Sequence, residues 1–285
     1  MAQPSLSQTI RSLEHEFGVE LFHRVGRRLV LTSAGEALLG PARQVLRDMD
    51  TVGASVAQVK GLTAGRLDLV AEPTLATDPV AALIGAFRVA FPGVTVRLAE
   101  PENAAELAAQ VSDGRSEVGL AELPLAVSED PAEGLVCLAL LIQDVLLVRP
   151  PGTEPSEGPG GAGGFPVARL AGAPLITTPL GTSSRALVER ALAAAAVTPV
   201  VAVETEQREA LLPLVLAGAG SALLPGPLAE QARQRGAAVW ELIPPLRRTV
   251  GLVHRRGTLS PAAHAFVDLA RAAQEASGDA GGPSS

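Results

Sequence analysis

The feature that most constrains the fold of this 285-residue chain is a narrow apolar seam near its amino end. Leu38, Ala42, Val45, Met49, Val52, Val56 and Val59 alternate steps of four and three residues, the heptad spacing that keeps one stripe of a long helix turned toward a partner helix. Arg43, Gln44, Arg47, Asp48 and Asp50 surround the stripe. A helix lying on its own domain would also explain the pattern, but a stripe this narrow favours pairing with another helix. Thr32 or Ser33 can cap the start, with Glu36 placed to complete a capping box from Ser33. The helix is therefore expected over 33–60, with an early kink at Pro41.

The texture differs on the two sides of this rod. Before it, Leu6, Ile10, Leu13 and Phe17 recur at helical spacing between Pro4, suited to a first helical position, and Gly18, suited to a helix end. Residues 19–31 then hold two short apolar runs around a Gly-Arg-Arg turn, which predicts a small hairpin with a basic tip. After a break at 61–66, short apolar runs alternate with helical stretches, the signature of an α/β unit. Strands are expected at 67–71, 94–99, 118–121, 138–148, 175–177, 200–204, 222–224 and 250–254. Helices are expected at 79–90, 104–112, 184–195, 208–217 and 261–276, and the small polar tail from Ser277 is expected to be disordered.

This length suits two or three compact units, and no apolar run approaches the roughly 18 to 20 residues of a membrane span. The amino end lacks the basic segment and apolar core of a secretory signal, which makes the cytoplasm the expected address. Cys137 is the single cysteine and lies in the apolar stretch 135–142, so an inert core thiol is expected. The net charge of −7 argues against a nucleic-acid partner until its distribution is read. Residues 1–60 carry seven basic and six acidic groups, whereas the remainder carry sixteen against twenty-four, so the acidity belongs to the larger part.

Nothing in the chain points to catalysis. His15, His23, His254 and His264 are scattered, none at metal-ligand spacing with another ligand type. There is no nucleophile elbow, and Cys137 has no evident His partner. A non-enzyme without metal or cofactor is expected. The Gly- and Pro-rich segment 152–164 lacks the ending of a phosphate-binding P-loop and reads as a connector. Gly218-Ala219-Gly220 follows a helix and precedes a strand, the reverse of a dinucleotide fingerprint, and reads as a turn.

The run from Gln3 to Glu14, with Gly18, Leu21-Phe22, Arg24, Arg27, Leu31-Thr32 and Ala34-Gly35, resembles the winged helix-turn-helix of LysR-type transcriptional regulators. The likeness continues through a linker helix and a two-lobed, periplasmic-binding-protein-like α/β sensor to Leu259-Ser260-Pro261-Ala262-Ala263 before the last helix. It implies a partial winged helix-turn-helix over 1–32, a dimerisation helix over 33–60, and an effector-binding domain over 66–276. Lobe one of that domain would take about 66–143 and 251–276, and lobe two about 144–250. The helix from Pro4 would be the recognition helix, burying Leu6, Ile10 and Leu13 while Gln3, Pro4, Ser5, Ser7, Gln8 and Arg11 meet double-stranded DNA. Arg24, Arg27 and Arg28 would lie in the wing, within reach of phosphates or the minor groove. Family members begin roughly 30 residues earlier, with helices that brace the recognition helix. Met1 stands where they commonly carry a residue such as Val, which implies a reading frame that opens further upstream.

The resemblance also implies a small-molecule effector held between the lobes, near strand ends and helix amino ends. Thr74 and Thr77 follow the first strand of the sensor. Thr178, Thr182, Ser183, Ser184 and Arg185 follow the strand at 175–177, where they either hold an anionic effector or merely cap a helix beside a surface arginine. Glu72 beside Thr74 would repel an anion, and Glu122 and Gln207 are further candidates for the cleft. The expected assembly is a dimer or tetramer without membrane association. A stand-alone small-molecule sensor lacking competent DNA binding is the alternative.

Overall fold

The computed structural model describes residues 3–26, 28–58, 65–125, 134–153 and 164–279. Helix α1 (Gln3–Phe17) ends at Gly18, whose φ of +66° turns the chain out of the helix. The hairpin of β1 (Phe22–Val25) and β2 (Arg28–Leu31) follows, with Phe22 opposite Leu31. Glu14 joins helix to hairpin, since its Oε1 accepts from the amides of Leu21 at 2.9 Å and Phe22 at 3.3 Å. The anticipated capping box at Ser33 and Glu36 gives way to Thr32. Its Oγ1 accepts from the Gly35 amide at 3.1 Å and donates to the Glu20 carbonyl at 2.6 Å, so one hydroxyl both starts the next helix and holds the hairpin. At Gly35 the two press together so closely that a Cβ would stand 2.2 Å from the Leu21 carbonyl oxygen. Only glycine fits there.

The long helix α2 (Ser33–Gln58) contains Pro41, as expected. Val59, at the end of the seam, and residues 60–64 of the break lie outside the described residues. Along the seam Leu38 is half-buried, whereas Val45 and Met49 are 58% and 69% exposed. Val45 and Met49 thus stand open on the helix surface.

The remainder comprises β3 (Gly65–Ala71), α3 (Pro73–Leu75), a π-helical turn (Ala76–Val80), α4 (Ala81–Ala90), β4 (Val94–Ala99), α5 (Ala104–Ser112), β5 (Val118–Leu123) and β6 (Leu135–Arg149). Next come β7 (Phe165–Pro166), β8 (Pro174–Thr177), α6 (Ser183–Ala194), β9 (Val200–Glu204), α7 (Leu211–Leu216) and β10 (Ala222–Pro225). The chain ends in α8 (Gly226–Gln234), β11 (Ala238–Trp240), β12 (Leu242–Ile243), β13 (Leu246–Arg255) and α9 (Pro261–Asp279). The main sheet has the order β10-β6-β13-β5-β3-β4, with β11 also on β6. Smaller parallel pairs join β8 to β9 and β7 to β12. α2 leans on the lobe that α9 completes, packing against α9 and placing Arg43 Nη1 3.7 Å from Asp113 Oδ2.

Two lobes arise because β6 and β13 are long enough to serve two cores. In lobe one, Leu67, Leu69, Leu120 and Leu252 on the sheet pack against Phe87 of α4 and Phe266 of α9, while α5 covers the other face with Leu107 and Val111. In lobe two, Val148, Ile176, Val215 and Leu224 form one cluster and Leu147, Phe165, Leu175 and Leu192 another. The antiparallel ladder of β6 and β13 runs unbroken from Leu246–Val145 to Val250–Leu141, then shifts by a residue at Gly251. A Cβ there would stand 2.3 Å from Leu123 Cδ1 and 2.6 Å from the Leu138 carbonyl oxygen.

Several expectations need correction. β6 begins at Leu135 and β13 at Leu246, earlier than the apolar runs suggested, and α9 continues past Ser277 to Asp279, leaving 280–285 outside the described residues. Cys137 is exposed, not a core thiol, because the apolar stretch around it is a strand whose neighbouring side chains point to opposite faces. The connector at 154–163 lies outside the described residues. Leu6 and Leu13 are 57% and 37% exposed, so of the three residues expected beneath α1 only Ile10 is even half-buried. Among the described residues no element covers that side of the helix.

Gly251→Ala forces a methyl into backbone and leucine contacts at the crossing strands, and an overpacked site of this kind typically costs about 1–3 kcal/mol. A urea unfolding curve of the variant should show a lower midpoint with an unchanged slope.

Candidate functional site

The crossing strands set the floor of an interlobe cleft. Arg248 of β13 and Gln143 of β6 are register partners, and both are buried although polar, at 4% and 5% exposed. Arg248 donates to Gln143 Oε1 from Nε at 2.8 Å and from Nη2, and donates from Nη1 to Thr74 Oγ1 at 2.7 Å. Gln143 Nε2 donates to Asp78 Oδ2 at 3.2 Å. One guanidinium thus ties both crossing strands to the segment after β3.

Glu72 lies beside this network and is 1% exposed. Burial pushes its carboxyl above the ordinary carboxylate range and the Glu122 charge adds to the rise, while hydrogen bonds from the Glu122 amide and Ser183, and the Arg248 charge, pull the other way. The expectation that Glu72 simply repels an anion overlooked this environment. Burial likewise lowers the Arg248 guanidinium, which the Glu122, Glu72 and Asp78 charges oppose.

Two hollows open on either side of the floor. The first, about 540 Å³, is lined by Glu72, Asn103 and Glu122 from lobe one and by Thr182, Ser183 and Arg190 from lobe two. The second, about 450 Å³, has Thr74, Thr77, Asp78 and Glu100 facing Ser184, Glu206, Arg208 and an apolar wall from α7 to α8. Two ion pairs span the gap between lobes, Arg190 to Glu122 and Arg208 to Glu100, the latter at 2.8 Å. Each has one largely exposed member, and exposed pairs contribute only about 0–1 kcal/mol. The lobes are therefore latched weakly.

Of the nine residues expected to contact an effector, Thr74, Thr77, Glu122, Thr182, Ser183 and Ser184 line these hollows. Thr178, Arg185 and Gln207 do not. Thr178 is buried with its Oγ1 2.7 Å from Thr182 Oγ1, and Thr182 caps α6 by accepting from the Arg185 amide at 3.3 Å. The Arg185 side chain turns to the flank of lobe two, where Nε lies 3.0 Å from Glu189 Oε1 and Nη1 3.6 Å from Glu204 Oε2. It serves the helix and its neighbours. Gln207 is exposed, while Glu206 and Arg208 beside it line the second hollow. Sequence reasoning missed Asp78, Gln143, Arg190, Arg208 and Arg248. For Gln143 and Arg248 the available signal was a polar residue set among apolar strand positions, whereas Asp78, Arg190 and Arg208 lie on turns and a helix, where a polar residue is unremarkable.

At the amino end, Ser7, Gln8 and Arg11 are exposed on α1, and Arg24 and Arg28 are exposed on the hairpin. Gln3, Pro4 and Ser5 lie in the first turn of α1, and Arg27 lies outside the described residues. No helix among the described residues is long and apolar enough to cross a membrane.

Arg248→Met should lower stability, because it leaves the Gln143 amide oxygen and the Thr74 hydroxyl without their donor, at about 1–3 kcal/mol for a buried group left unsatisfied, as a denaturant titration would register. Glu72→Gln tests the raised carboxyl. The folded state favours its neutral form, so the stability it contributes is complete below the unfolded value and is lost as pH rises through the elevated folded value. The melting temperature of Glu72→Gln relative to the parent should climb as pH increases above 4.5. A constant offset across pH would reject the assignment.

Residues 60–275 match the LysR substrate binding domain, and residues 1–36 match the bacterial regulatory helix-turn-helix protein, lysR family. The HTH-type transcriptional regulator IlvR of Caulobacter vibrioides is 28% identical over 271 residues, covering 94% of this chain and 88% of that protein. The DNA-binding transcriptional dual regulator OxyR of Escherichia coli is 29% identical over 278 residues, covering 95% and 86%. Among solved structures, a full-length OxyR variant from Pseudomonas aeruginosa superposes with a TM-score of 0.74 at 20% identity, covering 96% of this chain and 86% of that one. Full-length CbnR complexed with its target DNA superposes at 0.61 with 24% identity, covering 96% and 91%. With both the helix-turn-helix and the substrate binding domain matched, this chain belongs to the LysR family.

Proposed function

We propose that the chain is a DNA-binding transcriptional regulator controlled by a small molecule held between its lobes. Residues 1–32 act as the DNA-binding head, 33–60 as the linker helix and 66–276 as the sensor, with lobe one at about 66–143 and 251–276 and lobe two at about 144–250. The observation that carries the reading is the continuity of one chain from an exposed polar helix, through a rod whose seam exposes Val45 and Met49, to a cleft floored by Arg248 and Gln143.

On α1, Gln3, Pro4, Ser5, Ser7, Gln8 and Arg11 meet the major groove, where Gln and Arg can bond two atoms of one base edge. Arg24, Arg27 and Arg28 engage phosphates or the minor groove from the wing. The seam on α2 pairs two heads for a two-fold operator. In the sensor, a ligand that draws Arg190 away from Glu122, or Arg208 away from Glu100, replaces a weak interlobe pair with its own contacts. A modest difference in affinity between open and closed lobes then suffices to shift their balance.

The test is sequence-selective binding. Genomic fragments retained by the full-length protein are sequenced, and affinity for the enriched site is measured by fluorescence anisotropy. Gln8→Ala and Arg11→Ala should each weaken the enriched site by about 1–3 kcal/mol while leaving random DNA less affected. Arg24→Ala and Arg28→Ala should weaken both and flatten the salt dependence. Failure to prefer any sequence, with small-molecule binding retained, would favour a stand-alone sensor. Met49→Asp should shift the protein to a monomer by light scattering, and an unchanged mass would remove α2 from the self-association surface.

A further inference from the structure

Lobe two holds a further hollow, remote from the Arg248 floor and sharing no lining residue with the two hollows of the cleft. It measures about 500 Å³ and lies between the start of β8, the 3-10 turn Val167–Leu170 and the turn that precedes β10. Arg149, Phe165, Arg169, Pro174, Gly220 and Ser221 are the lining residues that decide its chemistry.

Both titratable groups lining it are cationic. Arg149, at the end of β6, is half-buried, and its guanidinium carbon stands 5.8 Å from the Phe165 ring centroid and 5.7 Å from that of Trp240. Two aromatic faces thus hold this cation in place without neutralising it. Neither Arg149 nor Arg169 forms an ion pair with the described residues, and no carboxylate among those residues lines the hollow.

Ser221 supplies an independent sign. It is 6% exposed, its amide donates to the Pro174 carbonyl and its carbonyl accepts from Ile176, yet its hydroxyl has no partner among the described residues. The hydroxyl oxygen is open to the hollow, a space it shares with the half-buried Arg149 and the exposed Arg169. The backbone is also specialised. Gly220 has φ +156°, and a Cβ there would meet the Pro174 carbonyl oxygen at 2.9 Å, so the chain can pass beside β8 only without a side chain.

We propose that this hollow binds a small oxyanion, carried as a carboxylate or phosphate group. Arg149 and Arg169 supply the charge and Ser221 a hydroxyl donor. The aromatic and proline surfaces at the rim accommodate a short carbon skeleton. Guanidinium groups suit both anions because their paired donors match two oxygens of either. The site is distinct from the interlobe cleft and gives the sensor a second input that reaches β6, one of the two strands shared by both lobes.

The chain contains a single tryptophan, Trp240, which touches Arg149, so occupancy has a built-in reporter. The full-length protein is titrated with inorganic phosphate and, separately, with succinate, at constant ionic strength balanced by chloride. Tryptophan fluorescence and titration calorimetry are both recorded. A saturable response to either oxyanion is expected, at least tenfold weaker in Arg169→Gln and in Ser221→Ala, neither of which is a ring contact of Trp240. The parent melting temperature serves as the folding control, and Arg149→Lys provides a second cation variant should either of the others unfold. The arm that saturates at lower concentration identifies phosphate or carboxylate as the preferred group. No saturable signal by both methods would overturn the proposal. So would a response that survives both variants but disappears in Arg190→Ala or Arg208→Ala, since that would place the anion in the cleft.

Discussion

The pairing of Arg248 with Gln143 is the interaction on which the sensor depends. A guanidinium removed from water requires nearly all of its donors to be met, and here the acceptors come from the facing strand and from Thr74 just beyond β3. The arginine can be buried only if β6 and β13 cross in this register and the segment after β3 lies against them. The same requirement gathers Glu72, Asp78 and Glu122 around the cation. The polar floor of the cleft is thus a by-product of satisfying one charge at the junction of two apolar cores.

This arrangement separates rigidity from mobility. The floor is buried and fully bonded, whereas the links that hold the lobes together above it are ion pairs at the surface. Breaking the former leaves unpaired groups in a low-dielectric interior, and breaking the latter exchanges protein contacts for water. Closure can therefore vary around a fixed base. Gly251 contributes by letting β13 shift register beside Leu123 and Leu138 without a side chain in the way.

Much of the architecture was legible in the chain because periodicity reports burial. The strand at 94–99, the helix at 104–112 and the strand at 200–204 appear with the expected bounds. The hairpin and the rod also follow their patterns. β7, β11 and β12 span only two or three residues, too few for any alternation to register. α8 escaped notice because it opens with Gly-Pro and buries little more than Ala229 and Ala232. The site was less legible, since its key members violate the usual inference from polarity to exposure. Glu72 and Arg248 are charged residue types in the interior, and Arg185, which looked like an anion ligand beside three hydroxyls, is drawn away by Glu189 and Glu204. The i,i+4 spacing of Arg185 and Glu189 was visible in the chain, whereas the contact with Glu204 and the surroundings of Glu72 and Arg248 come from segments that no local spacing records.

The elbow at Thr32 and Gly35 has a mechanical consequence. Because one hydroxyl bonds both the hairpin and the start of α2, and because Gly35 leaves no gap to the hairpin backbone, the head cannot swivel freely at the end of its stalk. The 26 residues of α2 span about 39 Å at 1.5 Å per residue. A tilt of about 10° at the far end then sweeps the head through about 7 Å, close to two base-pair steps along a duplex. A small angular adjustment at the sensor becomes a change of helical phase at the operator.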